Sequence, residues 1–331
     1  MSPESPESSE RFESLETPGT SRTAREIATQ PACWRRAAQD VARTRPAGFA
    51  GALPRPGERV AVTGCGTSWF MAQAYAALRE AAGQGETDAF AASEFPAGRR
   101  YDRVVALTRS GTTTEVLDLL GALRAGRPEV PVLAVTADPA APVLRAAAHV
   151  AVLDYADEES VVQTRFATSA LAFLRAGLEA AGPLPAGVRT VAEAAHDAEA
   201  AVADPLPAEV TGAGQWTFLG RGWTCGLALE AALKLRESAG AWTEGYPAME
   251  YRHGPVSIAE PGRAVWVFGA PPEGLRADVA AAGGLLVATP EGTDPMADLV
   301  RAQRLAVAVA RARGLDPDRP RNLTRSVILS Q

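Results

Sequence analysis

Short apolar runs that end in glycine or hydroxyl-bearing residues and feed straight into helices constrain this chain more than any other feature. Val60-Ala61-Val62-Thr63 runs into Gly64-Cys65-Gly66-Thr67-Ser68 and a helical stretch from about Trp69 to Ala82. Val104-Val105-Ala106-Leu107-Thr108 runs into Arg109-Ser110-Gly111-Thr112-Thr113-Thr114-Glu115 and a helix ending near Leu123. A strand over 132–136, a helix near Val143 and a short strand over 150–153 follow. After a helix pair, roughly 162–181 and 188–203, and a proline-bearing linker at 204–208, the grammar resumes. Trp216-Thr217-Phe218-Leu219 leads into Gly220-Arg221-Gly222 and a helix over about 226–239. Strands over 264–268 and 285–288, a helix over 295–313 and an extended tail over 320–329 complete it. Strands this apolar need cover on both faces, and their alternation with helices predicts parallel sheets between helical layers.

The repeated pattern predicts two related α/β sandwiches rather than a short-period solenoid. Residues 1–20, rich in Ser, Glu and Pro, read as a disordered tail. Residues 21–50 read as a helical segment, 51–185 as the first sandwich and 186–208 as a connecting helix and linker. The second sandwich is expected over 209–315, with a tail over 316–331 that closes the site.

With 331 residues, 47% of them hydrophobic, a sizeable core can form. The net charge of -6 and the scattered basic residues argue against a nucleic-acid partner. Cys33, Cys65 and Cys225 are few and far apart, as expected of free thiols in a reducing compartment. No signal sequence and no membrane-length apolar run is present, so a soluble cytoplasmic protein with no membrane partner is expected.

Lys234 is the single lysine among 33 basic residues. Arginine, planar and always charged, cannot replace a compact, titratable ammonium. On a helix, Glu230, Lys234 and Glu237 fall at i, i+4 and i+7 and share one face. Glu244, Glu250 and His253-Gly254-Pro255 follow.

The two first-sandwich loops sit at the carboxyl ends of strands, where open α/β sheets bind ligands. Each offers small residues, backbone amides and hydroxyls at a helix start, a combination suited to a phosphate dianion. Ser68 is the candidate contact in the first loop, with Gly64 and Gly66 allowing close approach. Thr108, Ser110 and Thr113 are the candidates in the second, with Arg109 as a charged contact. Neither a P-loop nor a dinucleotide fingerprint occurs, and no metal-ligand spacing is present, so no cofactor or metal is expected.

These pieces resemble the sugar isomerase (SIS) family. The match runs through Gly64–Ser68, Ser93-Glu94-Phe95, Thr108–Thr113, 159–164, Leu229–Pro255 and Pro320-Arg321-Asn322-Leu323-Thr324-Arg325-Ser326-Val327. It is most similar to the isomerase part of glucosamine-6-phosphate synthase and to stand-alone amino-sugar-phosphate deaminases and isomerases. The resemblance implies two tandem SIS subdomains, each a flavodoxin-like three-layer αβα sandwich. It implies a sugar-phosphate site containing Cys65, Gly66, Thr67, Ser68, Thr108, Arg109, Ser110 and Thr113, with Val161 and Gln163 along the sugar. Glu237 matches the base that moves a proton between C1 and C2, and Lys234 the lysine beside it. His253 matches the histidine that assists ring opening from a partner subunit, which implies a homodimer. Two departures are expected to matter. A chain that starts Met-Ser-Pro-Glu is expected to lack the glutaminase domain with its N-terminal cysteine nucleophile, and the family's C-terminal lysine is Arg325, which can form no imine but can close the pocket.

A ring-opened aldose 6-phosphate has an acidic C2 proton that a positioned carboxylate can remove. Glu237 suits this role in a dry pocket that raises its pKa, Lys234 can stabilise the oxyanion, and His253 can shuttle a proton. His149 and His196 read as structural, and Glu230, Glu244 and Glu250 as supporting carboxylates. The function expected is deamination or isomerisation of glucosamine 6-phosphate. Dehydration of N-acetylglucosamine 6-phosphate, simple aldose–ketose isomerisation and a non-catalytic sugar-phosphate sensor are the alternatives.

Overall fold

The computed structural model describes residues 21–44 and 52–329. The expected disordered tail over 1–20 and the end of the N-terminal helical segment lie outside the described residues. Helices α1 (Arg22–Ala28) and α2 (Gln30–Thr44) lead into a parallel sheet of β1 (Val60–Gly64), β2 (Thr87–Ala91), β3 (Arg103–Leu107), β4 (Val132–Thr136) and β5 (His149–Val152). Helices α3 (Thr67–Ala81), α4 (Thr114–Gly126) and α5 (Val143–Ala146) connect its strands. Helices α6 (Arg165–Ala181), α7 (Val191–Ala203) and α8 (Ala208–Thr211) lead to the second parallel sheet. This holds β6 (Gln215–Gly220), β7 (Thr243–Pro247), β8 (Arg263–Phe268) and β9 (Leu285–Ala288), with α9 (Thr224–Ala239), α10 (Leu275–Ala281) and finally α11 (Pro295–Ala312).

The sheets repeat one topology. The first has the order β2-β1-β3-β4-β5 and the second β7-β6-β8-β9. In each, the chain leaves the first strand, returns on the outside, then crosses back to the other side. Ligands in such sheets bind at that reversal, beyond the carboxyl ends of the strands.

Side-chain alternation explains how the sandwiches join. Val60, Val62, Val105, Leu107, Leu133 and Val135 point into one large core. Ala61, Val104, Ala106, Val132 and Ala134 point the other way, under α4 and α5. In the second sheet Trp216, Phe218, Trp266 and Phe268 enter the same large core, while Leu219, Val265 and Val267 face α10. The inner faces of both sheets therefore share one core, with α3 and α9 packed together between them.

Two edge strands, β2 and β7, and helix α10 were not expected from sequence. Both strands are mostly half-buried, and they carry Asp88, Glu244, Gly245 and Pro247, which weaken an apolar strand signal. The remaining strands and longer helices lie close to their sequence-expected positions. No helix among the described residues is long and apolar enough to cross a membrane, and all three cysteines are free.

The α3–α9 crossing depends on Gly226. A Cβ there would lie 2.4 Å from the Phe70 carbonyl oxygen and 2.8 Å from the Ala74 nitrogen. Because the obstacles are backbone atoms, Gly226→Ala is expected to cost ~1–3 kcal/mol of stability through overpacking, read as a lower urea midpoint. An unchanged midpoint would show that the crossing is looser than described.

Candidate active site

Helix α9 carries a Glu-Lys-Glu face into the core. Lys234 and Glu230 are buried, at 1% and 0% exposure of their side chains, whereas Glu237 on the next turn keeps 18%. The Lys234 ammonium donates to Thr67 Oγ1 at the start of α3, 2.9 Å away. It also donates to Glu237 Oε2 and lies 3.5 Å from Glu230 Oε1. The first loop of the first sandwich is thus joined to the second sandwich through one ammonium.

Burial opposes the charge on Lys234, but Glu230 and Glu237 outweigh it, and its pKa is raised above the ordinary lysine value. One ammonium cannot neutralise two carboxylates in a dry site. The cost falls on Glu230: burial pushes its carboxyl up to about 8, with Lys234 opposing and Glu237 reinforcing the shift. Burial beside the Lys234–Glu237 pair therefore favours the protonated form of Glu230. Sequence reasoning expected Glu237 to be the carboxyl in the dry pocket, and the structure puts Glu230 there.

The phosphate-loop candidates gather at the carboxyl ends of β1 and β3. Ser68 is buried in the first turn of α3, where its amide bonds the Cys65 carbonyl at 3.1 Å. Gly66 precedes that helix with φ 54, and Cys65 is half-buried beside it. In the second loop, Gly111 has φ 60, and a Cβ there would lie 2.5 Å from Ala141 Cβ. Thr113 is the residue before α4, and its side chain makes no capping bond. Among the described residues, Thr108 Oγ1 is buried without a hydrogen-bond partner, as is Gln163 Oε1. Such orphaned groups in a native site call for an explanation, and a polar ligand supplies one.

Several placements differ from a simple ring of ligand contacts. The Arg109 guanidinium is buried and bonds the carbonyls of Ser160, Val161 and Arg325 at 3.1, 3.0 and 2.9 Å. Arg325, on the C-terminal tail, bonds the Asp157 carboxylate and the Glu158 carbonyl. His253 is exposed after a short 3-10 turn, its amide bonding the Glu250 carbonyl at 2.9 Å. Among the described residues no hydrogen bond or ion pair is seen between its imidazole and α9.

Two contributors were missed as site residues. Ser326 Oγ on the tail lies 3.1 Å from Ser110 Oγ and 2.9 Å from Thr112 Oγ1. Glu158 accepts from the Thr164 amide and hydroxyl and the Arg165 amide, fixing the segment that carries Val161 and Gln163. Ser326 stood within a recognisable motif, but Glu158 sits in an acidic run that reads as solvated surface. Beside Glu237 opens a cleft of about 360 Å³ lined by Arg236, Arg319, Arg321 and Asn322. Among the described residues no group of three or more His, Cys, Asp or Glu side chains is placed to hold a metal ion.

The comparisons with known proteins agree with this architecture. The isomerizing glutamine–fructose-6-phosphate aminotransferase of Methanothermobacter thermautotrophicus is 30% identical over 307 residues, covering 82% of this chain and 51% of that protein. The chain therefore spans about half the length of that curated relative. Glucosamine-6-phosphate deaminase from Thermotoga maritima superposes with a TM-score of 0.75 at 23% identity, covering 93% of this chain and 100% of that one. The C-terminal domain of glucosamine-fructose-6-phosphate aminotransferase from Francisella tularensis gives 0.69 at 20% identity, covering 92% and 100%. No family model matches the chain. Its fold is that of these sugar-phosphate proteins, and in sequence it resembles the SIS-type isomerase part of the aminotransferases.

The Glu230 shift has a pH signature. A carboxyl raised from 4.5 to about 8 favours the folded state fully below pH 4.5, and that contribution is lost as pH rises toward 8. Glu230→Gln removes this dependence. Measured by urea unfolding, the variant's stability relative to wild type is expected to climb between these pH values and then level off. A difference that stays flat would contradict a buried, protonated Glu230.

Proposed function

We propose that the chain is a sugar-phosphate enzyme that abstracts the C2 proton of a ring-opened hexosamine 6-phosphate, releasing ammonia from glucosamine 6-phosphate as it forms the ketose. The observation that carries this reading is the Glu230–Lys234–Glu237 cluster held against Thr67, next to two hydroxyl- and amide-rich loops. A structural ion pair needs no second carboxyl at such a desolvation cost, whereas proton-transfer sites gather perturbed groups of this kind. The amino-sugar assignment draws on the likeness to the aminotransferases, proteins named for a fructose 6-phosphate reaction.

The amides and hydroxyls of the loops at Ser68 and at 108–113 hold the phosphate. That anchors the open chain with C1 and C2 toward Glu237, the most accessible carboxyl of the cluster. Glu237 takes the proton from C2 as the C1 carbonyl gathers charge, and Lys234 stabilises the resulting oxyanion. Return of the proton to C1 gives the 2-imine of the ketose, and water then releases ammonia and fructose 6-phosphate. Glu230 keeps the ammonium in place. Val161 and Gln163 border the sugar, and the tail with Arg325 closes over it.

Glu237→Gln keeps the shape and removes the base. Turnover of glucosamine 6-phosphate, followed as ammonia release, is expected to fall ~10²–10⁴-fold with binding retained. A variant that works at the wild-type rate would remove Glu237 as the base. A wild-type protein that binds the sugar without turnover would favour the sensor reading, and loss of water from N-acetylglucosamine 6-phosphate would favour the dehydratase.

His253 is exposed in its own chain, which supports a homodimer in which each copy lends this imidazole to the other's site for ring opening. Mixing inactive Glu237→Gln and His253→Ala chains is then expected to restore activity, because one site of the mixed dimer has both groups intact. No recovery on mixing would place His253 in its own chain's site or outside catalysis.

A further inference from the structure

Arg109 occupies the centre of the second loop, yet its charge is turned into the protein. It is 2% exposed. Nη1 donates to the Ser160 carbonyl at 3.1 Å, and Nη2 to the Val161 and Arg325 carbonyls at 3.0 and 2.9 Å. The Glu158 carboxylate lies 3.5 Å from Nη1. Both terminal nitrogens are therefore committed to backbone from two segments far apart in sequence. A phosphate would have to compete with those carbonyls for the same protons.

The segments so held are the ones that border the sugar and close the site. Arg325 returns the contact by bonding Asp157 and the Glu158 carbonyl. One residue on, Ser326 meets Ser110 and Thr112. The Thr114 amide then donates to the Val327 carbonyl at 3.2 Å, and the Leu329 amide to Thr114 Oγ1 at 2.9 Å. The second loop, the 158–163 segment and the tail form one bonded unit with a guanidinium at its centre.

We infer that Arg109 is a positioning residue that clasps the 160–163 segment and the C-terminal tail to the second loop, and that phosphate is held by the loop amides and hydroxyls instead. The inference rests on the proposed reading of these loops as a sugar-phosphate site. A guanidinium suits the clasp because its rigid plane serves several acceptors at once, whereas a lysine ammonium is a flexible point charge. Lysine therefore preserves the charge and loses the geometry.

That difference supplies the test. Arg109→Lys and Arg109→Gln are compared with wild type by hydrogen exchange at the Thr114 and Leu329 amides and by calorimetric titration with inorganic phosphate. The clasp requires both amides to be protected in wild type before phosphate is added, a measurement independent of any variant's folding. Both variants are expected to exchange there at least ~10-fold faster, with the lysine no better than the glutamine. Any change in phosphate affinity is expected to be the same in both. Free exchange in the phosphate-free wild type overturns the clasp, as do unchanged amides in both variants. It is equally overturned if glutamine weakens phosphate binding ~10-fold and lysine restores it, since that is how a charge ligand behaves. Wild-type protein that binds no phosphate, with the exchange pattern as expected, sinks the sugar-phosphate reading and leaves the clasp standing.

Discussion

The Lys234 ammonium is held at the α3–α9 crossing by Thr67 from one sandwich and by Glu230 and Glu237 from the other. Burying a charge is expensive unless it is paired and hydrogen-bonded, so this contact fixes the register of the two helices. Both helices begin at the carboxyl end of the first strand of their sheets, and both pack on inner faces that share one core. The Glu230–Lys234–Glu237 cluster is thereby held beside the two Ser/Thr/Gly loops by a helix crossing buried in that shared core. The loops themselves are steadied from outside, by the tail and the 158–163 segment.

Charge balance sets the division of labour within the cluster. Glu230, fully enclosed, takes the desolvation cost, which raises its pKa, while Glu237 at the rim keeps access to the cleft. A similar economy governs the second loop. Arg109 and Glu158 are both buried, and both bond backbone of the 158–165 segment, Arg109 through the Ser160 and Val161 carbonyls and Glu158 through the Thr164 and Arg165 amides.

Much of the fold was legible because buried parallel strands leave short, mostly apolar runs, and β1, β3, β4, β6 and β8 do so. The edge strands β2 and β7 escaped because half-exposed strands tolerate Asp88, Glu244 and Gly245 and lose the pattern. The α9 cluster was legible from helical spacing and from the lone lysine. Its internal ranking was not, because spacing assigns Glu230 and Glu237 to one face without revealing which is sealed. Arg109 shows the same limit: a basic residue in an anion-binding loop invites a ligand role, and only the carbonyls of residues more than 50 positions away reveal another use. His253 lies on the surface of its own chain, a placement that a motif before Gly254-Pro255 does not disclose.

Because Lys234 is the only lysine, selective ¹⁵N-lysine labelling gives a single side-chain ammonium signal that reports on the centre of the account. The ammonium is expected to titrate above the ordinary lysine value of 10.5, and its resonance to move when glucosamine 6-phosphate is added. A side chain that titrates below that value would contradict the paired, charged cluster. A signal that ignores bound glucosamine 6-phosphate would show that the ammonium is structural and that the chemistry lies elsewhere.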